Sequence, residues 1–204
     1  MFCYIDNIKS KGDSLHDIIS HQKFNRSIRC KSFGISPLVA NAATGGESTS
    51  HSYSEAARDL GISEKDFNSQ LQQAANTSST RPSSRATNYE RVHFEFRTFN
   101  AYDSTYRIPK QTKSAYHLKS NTVNRPWYSA EAWGQSFKAG RTGNVSVSGP
   151  RVDDHNIYQI KANKRYKLTN YLVERYGPGN NAYIMAWSHG DGNAWGYWNP
   201  DSQV

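Results

Sequence analysis

His189 and Asp191 stand on either side of Gly190 in the segment SHGDGN, between the aromatic runs Ala182–Trp187 and Ala194–Trp198. An imidazole and a carboxylate this close in a loop are the residue types that move protons or hold a metal ion. A second polar cluster, Asp153-Asp154-His155, follows Pro150. Neither cluster has metal-ligand spacing such as H-E-x-x-H, and neither has a recognisable partner elsewhere in the chain. The G-x-S-x-G, phosphate-loop and G-x-G-x-x-G patterns do not occur. Asp, Asn, His and Gly are also the usual residues of turns at strand ends. No catalytic residue, metal or cofactor is therefore expected, and His189 and Asp191 are retained only as polar loop candidates.

The other chemistry on offer is aromatic. Trp127, Tyr128, Trp133, Trp187, Trp195, Tyr197 and Trp198 are the rings that either fill a core or stack on a sugar ring or a surface. In a strand, Trp195 and Tyr197 share one face while Gly196 and Trp198 share the other. Both faces of the last strand thus carry a ring. One set should be core, and the other, where exposed, is a platform.

The elements that must position these residues come from pattern. Aromatic residues make up 13% of the 204 residues, with Tyr (13) ahead of Phe (8) and Trp (5), a bias toward a β-rich core. From Tyr89 the chain alternates, with Val92, Phe94 and Phe96 against His93 and Glu95. Further strands are expected at 114–118, 127–133, 144–148, 157–161, 167–174, 182–187 and 194–198, and the stretch from Lys167 has a helical alternative. Turn signals such as Asn124-Arg125-Pro126 and Gly177-Pro178-Gly179 separate them. About eight short strands without a crossover helix predict an all-β, single antiparallel β-sandwich over 89–204. Its last two strands are expected to pair as a hairpin, with Gly190 and Gly192 at positive φ.

Residues 1–42 run from a basic segment (Lys23 to Lys31) through a short, interrupted apolar one to Ala40-Asn41-Ala42, the order of a secretory leader cut between Ala42 and Ala43. Both cysteines, Cys3 and Cys30, fall here, which excludes a disulfide scaffold or a Cys₄ zinc site from the rest. Residues 43–88 read as linker around a helical hairpin at 54–75, with a left-handed cap at Gly61 and an S-x-x-D start at Ser63. Ala56 to Ser63 also resembles the turn of a helix-turn-helix unit, but a recognition helix at 64–75 would carry one Lys, no Arg and two acids. No apolar run approaches the roughly 18 residues of a spanning helix.

Three residue groups carry a resemblance: Thr105–Lys110 (TYRIPK) before SAYHL, Asn170–Gly177 (NYLVERYG) before AYIMA, and the tail GYWNPDS. Together they are similar to an uncharacterised family of small secreted Gram-positive bacterial β-proteins that end in G-x-W-S-P-D-S, with Asn199 here in place of Ser. The resemblance covers roughly residues 90–204, and it implies export and the fold but no activity. With a net charge of +8, the expectation is an extracellular, non-catalytic binding protein of the bacterial cell envelope, bacteriocin-like or glycan-binding. Its expected partner is a cell-surface polymer or another anionic envelope component. The alternatives are a DNA-binding regulator using 54–75, with nucleic acid the less favoured partner, and an extracellular hydrolase.

Overall fold

The structure, a computed structural model, describes residues 48–50, 52–78, 89–136 and 143–201. The leader-like segment 1–42 and its Ala42–Ala43 cut lie outside the described residues. In chain order the elements are β1 (Ser48–Ser50), α1 (Tyr53–Leu60), α2 (Glu64–Thr77), β2 (Glu90–Phe96), β3 (Tyr102–Ser104), β4 (Ile108–Pro109), β5 (Tyr116–Val123), β6 (Tyr128–Ser136), β7 (Gly143–Ser146), β8 (Ile157–Ile160), β9 (Lys164–Leu168), α3 (Leu172–Tyr176), β10 (Asn181–Trp187) and β11 (Gly192–Asn199). The strands form two antiparallel sheets. One runs β1-β8-β6-β10-β3, with β4 also on β10 and β7 on β6; the other runs β2-β11-β5-β9.

Side-chain parity decides the layers. β10 is buried along its whole length, yet Ala182, Ile184 and Ala186 enter one apolar cluster while Tyr183, Met185 and Trp187 enter another. β6 divides the same way, with Tyr128, Ala130 and Ala132 on one side and Trp133 on the other. Successive strand side chains point to opposite faces, so this sheet is a middle layer with an apolar partner on each side. Its small alanine face receives Phe94, Phe96, Tyr116, Leu118, Leu168 and Trp198 from the four-stranded sheet. Small against large lets two sheets interdigitate at the density of a protein interior.

The helical hairpin covers the other face. Ser52 Oγ accepts from Glu55 N–H at 3.3 Å and Ser63 Oγ from Asp66 N–H at 3.1 Å, satisfying donors that helix starts leave open. Gly61, at φ 70°, closes α1 in the left-handed region. The buried side of the pair (Ala56, Ala57, Phe67, Leu71, Ala75) packs with Trp133, Tyr183, Met185 and Trp187. Phe67 meets Trp187 edge-on at 5.4 Å.

Two local expectations are corrected. β10 and β11 do not pair: β10 sits between β6 and β3, and β11 between β2 and β5. The segment between them is an arch from the middle layer to the outer one, and neither Gly190 nor Gly192 has a positive φ. The physical reason is visible in burial: β10 needs cover on both faces, whereas β11 alternates and needs it on one. The expected strand 167–174 is instead the end of β9 followed by α3, whose Leu172, Val173 and Tyr176 turn one face inward. A Cβ at Gly134 would lie 2.5 Å from Leu172 Cδ1, so the glycine is what lets α3 seat on β6.

The tail closes the fold. The Asp201 carboxylate accepts from Thr112 N–H (2.9 Å), Thr112 Oγ1 (2.7 Å) and Gln111 N–H (3.0 Å), and pairs with the buried Lys110 Nζ at 3.2 Å. Lys110 also donates to the Pro200 carbonyl, and Asn170 Nδ2 donates to the Ser114 carbonyl at 2.7 Å. The three residue groups singled out in the sequence thus converge on the loop after β4. Burial works to raise the Asp201 carboxyl, but the Thr112 and Gln111 hydrogen bonds and the Lys110 charge hold it below its ordinary value. A carboxyl depressed on folding stabilises above its unfolded pKa, about 3.9, and that stability drains as pH falls through the folded value. Asp201→Asn is therefore expected to cost on the order of 2 kcal/mol at pH 7. The gap to the parent should narrow below about pH 4 in urea titrations at stepped pH.

Candidate functional site

Among the described residues, rings and cations meet on the outer face of the four-stranded sheet. In β11 the inward positions are Ala194 and Trp198, and the outward ones are Asn193, Trp195 and Tyr197. Trp195 is 52% exposed and Trp198 is 0% exposed. Register then sets what lies beside each ring. Trp195 faces His93 on β2 and Thr122 on β5; Tyr197 faces Arg91 and Lys119; Lys119 in turn faces Arg165, and His117 faces Lys167. One row across the sheet therefore reads Arg91–Tyr197–Lys119–Arg165.

The rings are held rather than loose. His93 stacks on Trp195 with centroids 3.5 Å apart and planes 4° apart, and its Nε2 lies 3.2 Å from Asn193 Oδ1. Lys119 Nζ stands 6.0 Å from the Tyr197 ring centre, a cation–π distance. Gly196 sits where β11 and β5 slip register: a Cβ there would lie 2.3 Å from the Lys119 carbonyl oxygen. That close approach fixes Trp195 and Tyr197 on either side of the bulge.

Two grooves flank the row and share Tyr197. One, of about 710 Å³, includes Arg91, His93, Tyr106, Trp195 and Tyr197; the other, of about 370 Å³, includes Tyr89, His117, Lys119, Arg165 and Tyr197. Asp103 also lines the first, but its carboxylate is taken by the N–H groups of Glu95 and Ser104, at 2.8 and 2.7 Å. Burial, then the Lys167 and Lys110 charges, lower the His117 pKa. The positive charge of this face at neutral pH thus rests on Arg91, Lys119, Arg165 and Lys167.

The other sequence candidates fall elsewhere. Tyr128 and Trp198 are buried between the sheets, and Trp133 and Trp187 beneath the helices, so these four are core and not platform. Trp127 is half-buried with its edge toward His189, at 5.1 Å. Asp191 accepts from the N–H and the hydroxyl of Thr98, which holds its carboxyl low and ties the arch to the β2–β3 turn. Its carbonyl accepts from Arg125 at 2.9 Å. Among the described residues Asp191 is thus tied to Thr98 and Arg125, and His189 stands against Trp127. Among the described residues no group of three or more His, Cys, Asp and Glu side chains is placed to hold a metal ion.

A feature that pattern reading passed over is Glu131, 0% exposed on β6. Its Oε2 accepts from Tyr53 OH (2.9 Å) and Trp133 Nε1 (2.8 Å); its Oε1 accepts from Ser146 Oγ (2.7 Å), Ser148 Oγ (2.8 Å) and His155 Nδ1 (2.9 Å). The available signal was a single charge in the strand YSAEAWG, where every neighbour is small or aromatic. Comparison with protein families, curated proteins and solved structures returned no match.

Proposed function

We propose that this protein is an exported binding module of the cell envelope that takes an anionic polysaccharide along the outer face of its four-stranded sheet. The observation that carries the reading is the solvent-facing Trp195, locked flat on His93 beside the row Arg91–Tyr197–Lys119–Arg165. A flat indole covers the apolar face of a sugar ring, and the flanking cations pair with carboxylates or phosphates spaced along the polymer. Two grooves that meet at Tyr197 suit an extended chain better than a compact ligand. The leader-like order of residues 1–42 and the net charge of +8 support the same location and partner.

The DNA-binding alternative finds less support. Phe67, Leu71 and Ala75 of α2 are buried against the middle sheet, and the exposed side of that helix offers Lys65 among Glu64, Asp66 and amides. Retention on isolated cell walls at low and high salt tests the proposal. Binding at low salt that weakens as salt screens the cations is expected. Absence of binding at low salt, or tighter binding to duplex DNA of equal charge, contradicts it.

A further inference from the structure

A carboxylate sealed between a sheet and a helix pair is costly unless its oxygens are satisfied, and one of the five donors that satisfy Glu131 is the His155 ring. An ionised carboxylate only accepts, so His155 Nδ1 must carry the hydrogen of the 2.9 Å bond to Oε1. That leaves Nε2 as the atom that gains or loses a proton. Both hydrogen bonds of the ring to other described residues run through Nδ1. His155 is 11% exposed at the side chain, its ring stacked on Tyr53 at 3.5 Å and 16°. Burial and the Glu131 charge push the Tyr53 phenol well above its ordinary pKa, so that ring and its hydrogen bond persist at any working pH. The imidazole opens on a cavity of about 410 Å³ that Glu64, Asn68, Gln72 and Trp133 also line. Asn68 and Gln72 lie one turn apart on α2, so their amides fall on the same side of the helix.

We infer that His155, oriented by Glu131, is the general base of a hydrolytic site in this cavity, acting on a small carboxylic ester. Nε2 removes a proton from water as the water oxygen bonds to the acyl carbon. The Asn68 and Gln72 N–H donors receive the carbonyl oxygen as it becomes negative. The bond from carbon to the alcohol oxygen then breaks, and the proton on Nε2 passes to that oxygen, leaving acid and alcohol with His155 restored. Glu131 is a positioning residue, holding the tautomer and stabilising the imidazolium formed midway. No residue that lines this cavity also lines either groove at Tyr197, so this site is tested separately from polymer binding.

The test is hydrolysis of p-nitrophenyl acetate by the full chain and by His155→Asn, whose amide nitrogen replaces Nδ1 as donor to Glu131 but supplies no base. Loss of a general base lowers the rate by about 100-fold, while His189→Asn, remote from the cavity, keeps the parental rate. A His155→Asn rate within about twofold of the parent, or an equal loss in His189→Asn, overturns the assignment. Should His155→Asn unfold at the assay temperature, the parent alone decides: a rate no greater than that of equimolar free imidazole overturns it.

Discussion

Glu131→Ala is expected to lower the unfolding free energy by about 3–5 kcal/mol in urea titration, with the slope of the transition unchanged. Truncation leaves Trp133 Nε1, the Ser146 and Ser148 hydroxyls and His155 Nδ1 facing a cavity instead of an acceptor. Each buried donor without a partner costs about 1–3 kcal/mol, partly recovered where a hydroxyl turns to a neighbour; Ser146 and Ser148 already lie 3.2 Å apart. Tyr53 loses its tie from α1 to the sheet as well. Glu131→Gln keeps one acceptor and nearly the same volume, so its loss should be smaller, about 1–2 kcal/mol. If alanine costs less than about 1 kcal/mol, the carboxylate does not organise this layer.

Trp198→Ala and Trp195→Ala should separate sharply although they lie on one strand. Trp198 is 0% exposed and meets Tyr116 edge-on at 6.1 Å. Removing it empties the space between the sheets and should cost about 3–5 kcal/mol. Trp195 gives up mainly its stacking on His93, and the change should stay within about 1 kcal/mol. Equal losses would mean that the indole of Trp195 is structural and not held out for a ligand. Differential scanning calorimetry on the two variants reads this directly.

The elements most legible in the sequence were those whose signal is local. Alternation through Val92, Phe94 and Phe96 marks β2 because one face is core and the other is solvent. Ser63 and Gly61 mark helix ends because the orphaned backbone groups they satisfy are their neighbours in sequence. Partnership is a different matter. A polar, glycine-bearing segment between two apolar runs describes a hairpin and an inter-sheet arch equally well. Only the need of β10 for cover on both faces separates them, and that emerges once the helices and the second sheet are in place. The rings of β11 pose the same problem: parity assigns Trp195 and Trp198 to opposite faces, but which face is wet depends on strand order. Glu131 was hidden because its donors come from Tyr53, Trp133, Ser146, Ser148 and His155, a set assembled by α1, β6 and the chain around β7.

The most direct test of the central claim is the affinity of an immobilised anionic polysaccharide for the parent and for Trp195→Ala, with melting temperatures recorded alongside. The outer face should lose at least about tenfold in affinity on Trp195→Ala, equivalent to about 1.4 kcal/mol, at an almost unchanged melting temperature. Lys119→Ala and Arg165→Ala should each weaken binding and flatten its salt dependence. Parental affinity in Trp195→Ala would contradict the account, because the polymer would then be held elsewhere.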